Sequence, residues 1–97
     1  MMNYNCVKWI HSIPSEPIII YSELDEGRWE IRKVEVYADG RMGYACQLES
    51  AGGSGLSKEP IPSLDEISSD SQFKPIEING SEFERVWSAA QSKCQIK

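Results

Sequence analysis

The stretch RWEIRKVEVYADGRMGYA, residues 28–45, decides the fold, because strand-forming residues flank a tight-turn signal and charges sit where a buried strand would carry apolar groups. Asp39-Gly40, between Tyr37 and Met42, is a two-residue hairpin signal. It predicts a type I′ turn, which needs positive φ at both central residues. On the incoming strand Trp29 and Ile31 share one parity and Val34 and Val36 the other, so strict alternation sends the two pairs to opposite faces. One extra residue near Arg32-Lys33 gathers all four onto one face, which is a β-bulge. The alternative is a central strand covered on both faces. With the bulge in place, Arg28, Glu30 and Glu35 need only be the wet side of the hairpin, which makes it scaffold first.

Working outward, YNCVKWIH (residues 4–11) alternates Val7, Trp9 and His11 onto one face and reads as a first strand. PIIIYSEL (17–24) reads as a second, followed by Asp25-Glu26-Gly27, where Gly27 is the natural residue for a positive φ. Beyond the hairpin Met42, Tyr44 and Cys46 alternate along a fourth strand. SAGGSGLSKEP (50–60) follows and reads as a flexible surface loop; its glycines lack the Gly-Lys-Ser/Thr sequel of a phosphate-binding loop. Ser63-Leu-Asp-Glu66 is a capping-box pattern that opens a short helix ending near Asp70. FKPIEI (73–78) is extended, with Pro75 confining it to a sheet edge or outside the sheet. A second capping-box pattern, Ser81-Glu-Phe-Glu84, opens a helix whose Phe83, Val86, Trp87 and Ala90 form one apolar stripe. The predicted class is α+β: an antiparallel sheet of four or more strands with a bulged hairpin, packed against the C-terminal amphipathic helix and a short second helix. One domain spans 1–97, mainly strands over 1–48 and mainly helical over 61–97.

Ninety-seven residues suffice for a single core. Fifteen acidic against ten basic side chains give a net charge of −5, which argues against direct contact with nucleic acid or an anionic membrane. Cys6, Cys46 and Cys94 show no ligand or disulfide spacing and read as reduced thiols. The start MMNYNCVKWIHS has no basic segment followed by an apolar one, and the longest apolar run, Ile18-Ile19-Ile20, is far too short to span a bilayer. These features predict a cytoplasmic monomer. His11 is the sole histidine, and its alternation with Val7 and Trp9 reads as structural; a catalytic role for it is the minor alternative. No nucleophile elbow, metalloprotease pair or calcium loop occurs, so no catalytic residue, cofactor or metal ligand is expected.

Charge distribution is more informative than any motif. From residue 59 to 84 there are seven acidic residues, Glu59, Asp65, Glu66, Asp70, Glu77, Glu82 and Glu84, opposed only by Lys74. The rest of the chain holds eight acidic and nine basic groups, so the excess negative charge lies in the second half. Helix starts account for some of these acids through the macrodipole. The remainder form a candidate surface for steering a basic protein partner, and the seven are the predicted partner-binding residues. A second reading is a regulatory module that holds a peptide or small ligand against its sheet, supported by the charged hairpin and by the Gly/Ser loop as a lid.

The blocks Trp9-Ile-His11, Tyr21-Ser-Glu-Leu-Asp25, Trp29-Glu30, Arg32-Lys-Val-Glu35, Asp39-Gly-Arg41 and Gly43-Tyr-Ala45 resemble a family of small bacterial domains. Glu59-Pro-Ile-Pro62, Glu66-Ile67, Glu82-Phe83 and Trp87 extend the resemblance over nearly the whole chain, with Asp-Gly-Arg-x-Gly-Tyr-Ala its most specific part. That family carries a fold more than an activity. The chain is also similar in type to immunity proteins of contact-dependent growth inhibition and polymorphic toxin systems. That similarity implies a cytosolic partner that is a basic toxin domain, such as a nuclease, neutralised by binding.

Overall fold

In the computed structural model, which describes residues 2–94, the hairpin forms the centre of a larger sheet. The strands are β1 (Asn3–Trp9), β2 (Ile19–Leu24), β3 (Glu30–Val36), β4 (Met42–Cys46), β5 (Ser50–Ala51) and β6 (Phe73–Ile78). The helices are α1 (Leu64–Ser68) and α2 (Gly80–Cys94). All six strands pair antiparallel in the order β5-β4-β3-β2-β1-β6, so β1 to β5 form a meander and β6 returns to the outside of β1. The α+β class, the bulged hairpin, the short helix and the packed C-terminal helix are all present.

The bulge lies one residue earlier than the sequence pattern suggests. Glu23 faces Arg32 and Leu24 faces Glu30, which leaves Ile31 as the extra residue. Val34 and Val36 therefore join the core, while Trp29 is 47% exposed and Ile31 lies outside the core cluster. The turn also differs from expectation. Only Gly40 has a positive φ, at 92°, and its N–H donates to the Tyr37 carbonyl at 3.0 Å while Tyr37 N–H donates to the Arg41 carbonyl at 2.9 Å. That is a three-residue loop with a glycine bulge, not a two-residue type I′ turn. At the β2–β3 connection the left-handed residue is Arg28 (φ 65°), not Gly27. The Asp25 carboxylate holds that turn by accepting from the N–H groups of Gly27 and Trp29, each at 2.9 Å.

The main core lies between one face of the sheet and α2. Val34, Tyr44, Ile78, Phe83, Trp87 and Ala90 are buried there, with Tyr4, Cys6, Tyr21, Met42 and Val86 packed around them. The helix cap is Asn79, whose side chain accepts from Glu82 N–H at 2.8 Å; the Ser81 capping box is not formed, because Ser81 already lies inside the helix. At α1 the predicted cap holds: Ser63 accepts from Glu66 N–H at 3.2 Å.

Both sheet edges are blunted. In β6, Gln72 pairs with Ile10 through a backbone bond, so alternation turns Phe73, Pro75 and Glu77 outward. The Phe73 N–H is spent on the Asp70 carbonyl and Pro75 has none, so of these three only Glu77 presents an outward donor to an added strand. The other edge, β5, is two residues long.

Candidate functional site: a groove between the sheet and α1

The face opposite α2 is set by alternation: Val7, Ile20, Ser22, Glu30 and Lys33 point away from the Cys6, Tyr21 and Val34 side. α1 packs against β6, and the segment leading into it is held over this face by Arg28. Its left-handed backbone accepts the Ile61 N–H at 2.8 Å, and its guanidinium donates to the carbonyls of Ile61 (2.9 Å) and Pro62 (2.7 Å). The same guanidinium donates to the buried Asn5 side chain at 2.9 Å, tying the entry to α1 onto β1. Between α1 and the sheet lies an open groove of about 440 Å³. Val7, Ile20, Ile61, Ile67 and Phe73 make its walls largely apolar.

Glu30 forms part of the polar floor and is the clearest departure from the sequence reading. It is not on a wet side: its side chain is 1% exposed. One carboxylate oxygen accepts from Ser22 Oγ at 2.8 Å and the other from Ser57 N–H at 2.8 Å, and Lys33 Nζ lies 3.4 Å away. Lys33 also donates to the Gly55 carbonyl at 2.8 Å. Glu30 and Lys33 thus anchor the 50–60 segment, which is a strap fastened across the sheet rather than a loose loop. Burying a carboxylate is costly unless it finds such partners.

The seven predicted partner-binding acids do not form one patch; the sheet divides them. Glu66 and Asp70 line the groove, and Asp65 is exposed in the first turn of α1. Glu59 is exposed on the strap just before α1, and Glu77 faces the same side of the sheet as Asn5. Asp65, Glu66 and Asp70 form no ion pair among the described residues; Glu66 and Asp70 instead hold local turns, through Ser63 Oγ and Gln72 N–H. Glu82 and Glu84 lie on α2, on the far side. Glu84 is spent on Arg32, whose guanidinium also forks onto Glu23 (2.6 and 3.1 Å) and lies 4.9 Å from both the Phe83 and Trp87 ring centres. Hydrogen bonding to Arg32 lowers the Glu84 carboxyl below its ordinary value, and Glu23 and Glu84 raise the guanidinium's. Burial, reinforced by Glu23, pushes the Tyr4 hydroxyl up.

His11 sits just past β1 with both ring nitrogens against backbone: Nε2 is 2.8 Å from the Pro17 carbonyl and Nδ1 accepts from Ile13 N–H at 2.9 Å. The ring packs edge-on against Trp9 at 4.3 Å. This arrangement takes up the lone pair a general base would need. Among the described residues no group of three or more His, Cys, Asp or Glu side chains could hold a metal ion. No helix of the described residues is long and apolar enough to cross a membrane.

A family model described as a domain of unknown function, DUF6881, matches residues 3–92, from the first residue of β1 almost to the end of α2. The chain belongs to that family. Neither the curated proteins nor the solved structures contain a match to this DUF6881 domain. Sequence reasoning assigned Arg28 and Glu30 to a wet face and gave no site role to Asn5, Ser22 or Lys33. The available signal was the pair Glu30 and Lys33, charges in a strand that the order of the sheet makes central.

Proposed function

We propose that this DUF6881 domain is an immunity-type binding protein that neutralises a basic toxin domain, such as a nuclease, in the cytoplasm. The observation that carries the reading is the set of unpaired exposed acids on the α1 side: Glu66 and Asp70 line a concave apolar groove, and Asp65 lies in the first turn of α1 beside them. On the α2 side the charges of Glu23, Arg32 and Glu84 already satisfy one another and offer a partner less. The proposed contact face is accordingly narrower than the seven acids: it comprises Glu59, Asp65, Glu66, Asp70 and Glu77, without Glu82 and Glu84. Acidic side chains of this kind accelerate encounter with a basic surface, while neighbouring apolar groups hold the complex.

Co-expression with the product of the adjacent reading frame tests the proposal. Growth rescue and a co-purifying complex are the expected result. A folded, abundant domain that gives neither rescue nor complex would remove it. The groove itself favours a second reading, a regulatory module holding a peptide or small ligand, because its volume is in the range of small-molecule sites. A thermal-shift screen with a saturable hit, together with failure of the rescue, selects that reading.

A further inference from the structure

We infer that the groove between α1 and the sheet receives a long basic side chain, a lysine or arginine, presented by the protein partner. This rests on the proposal above and names what would enter the site. Charge selects the occupant. Of the four charged groups that line the groove, Glu30 and Lys33 neutralise each other, with Ser22 and Ser57 completing the Glu30 shell. Glu66 and Asp70 remain, two negative charges with no cation against them among the described residues.

Shape and polarity agree with charge. The walls between floor and rim are the side chains of Val7, Ile20, Ile67 and Phe73. They suit a methylene stem, while the carboxylates suit a cationic head kept partly in water, which is how lysine and arginine distribute themselves across an apolar boundary. An anionic or wholly apolar group satisfies only one of these two features. A metal ion would leave the walls unused, and a volume of about 440 Å³ is much larger than a single ion requires. The groove is polar enough at its base to orient the entrant but already satisfied there, so the unspent acceptors lie at the rim.

The test uses the isolated full chain and needs no toxin, so it can fail while growth rescue succeeds, and the reverse. Butylguanidinium, a probe with a four-carbon stem and an arginine head, is titrated against the isotopically labelled domain by two-dimensional NMR. Pentanol and butyl phosphate serve as neutral and anionic counterparts. The expected result is saturable shifts at Val7, Ile20, Ile67 and Asp70 with butylguanidinium, and at least several-fold weaker binding of the other two. Glu66→Gln with Asp70→Asn should weaken the guanidinium probe on the order of tenfold, since each exposed charge contributes modestly. Glu82→Gln, across the sheet, should leave its binding unchanged. Equal shifts by pentanol, shifts confined to other residues, or full binding by the double variant would each overturn the inference.

Discussion

Replacing Arg32 by leucine should cost about 3–5 kcal/mol of stability, because the guanidinium leaves a buried carboxylate behind. Its main partner, Glu23, has a side chain only 8% exposed, and the Arg32 fork supplies both of its charged hydrogen bonds. Removing one member of a buried ion pair strands the other charge, a loss of about 3–5 kcal/mol. Glu84, with a side chain 57% exposed, adds little, because exposed pairs contribute about 0–1 kcal/mol. The faces of Phe83 and Trp87 add about 0.5–1 kcal/mol each at most, and leucine recovers part of that by packing against the same rings. Domains of this size have about 5–15 kcal/mol in total, so the variant should lose about a fifth of its stability or more. Urea unfolding followed by tryptophan fluorescence reads this as a lower midpoint at an unchanged slope. Glu23→Leu combined with Arg32→Leu should regain most of the loss, because no charge is then left buried. A single variant within about 1 kcal/mol of the parent, or a double variant no more stable than the single, would refute the clasp.

Three further outcomes are expected. The Glu84 carboxyl is lowered by Arg32, so its stabilising effect is complete above its ordinary value of 4.5 and disappears as pH falls through the lower folded value. The stability gap between the parent and Glu84→Gln should therefore be present at neutral pH and close below pH 4.5, as read from urea midpoints across that range. Asn79→Ala should cost about 1 kcal/mol and Ser81→Ala less than about 0.5, since Asn79 makes the cap; equal losses in thermal melts would return the cap to Ser81. Gly52→Ala should destabilise well beyond about 1–2 kcal/mol, because a Cβ there would lie 2.7 Å from Gly43 Cα in addition to the cost of a left-handed backbone. Gly53→Ala, with nothing within 4 Å, bears only the backbone cost, and similar melting temperatures for the two would contradict the close approach of β4 and β5.

The class of fold was legible in the sequence because the signals are local. Period-two runs, the Ser63 cap, Pro75 and the Phe83–Trp87–Ala90 stripe each specify their element without reference to distant residues. What was missed depends on pairing. A phase slip at residues 29–36 can be absorbed at more than one position, and only the register against β2 places the extra residue at Ile31. The type of hairpin turn was missed for a related reason: Asp-Gly fits both a two-residue loop and the three-residue loop closed by Tyr37 and Arg41, and strand register selects the second. Glu30 looked like a surface residue because nothing in its neighbourhood reveals that Ser22 and Ser57 converge on it from 8 and 27 residues away. The acidic segment was legible as charge but not as a surface, since residues close in sequence at 77–84 cross from β6 to α2 and so change sides of the sheet.

The bulge at Ile31 links these observations. Without it, Glu30 and Arg32 would share a face; with it, Arg32 turns to α2 and Glu30 to α1. The two faces then differ in kind. Under α2, aromatic packing and a three-membered ion cluster are mutually satisfied, and that face carries stability. Above the other face, α1 is a five-residue helix with no buried residue, packed against β6 and tied in through the Arg28 contacts to Ile61 and Pro62 just before it. Such an element can adjust to an incoming side chain without disturbing the main core. Exposed carboxylates at its rim cannot supply much affinity, about 0–1 kcal/mol each, but they do act at long range. Apolar burial at about 25 cal/mol per Å² has the opposite character, short in range and larger in sum. In the proposed complex Glu66 and Asp70 would therefore govern the rate of encounter and its salt dependence, while the walls around Ile20, Ile67 and Phe73 would govern how long the partner stays.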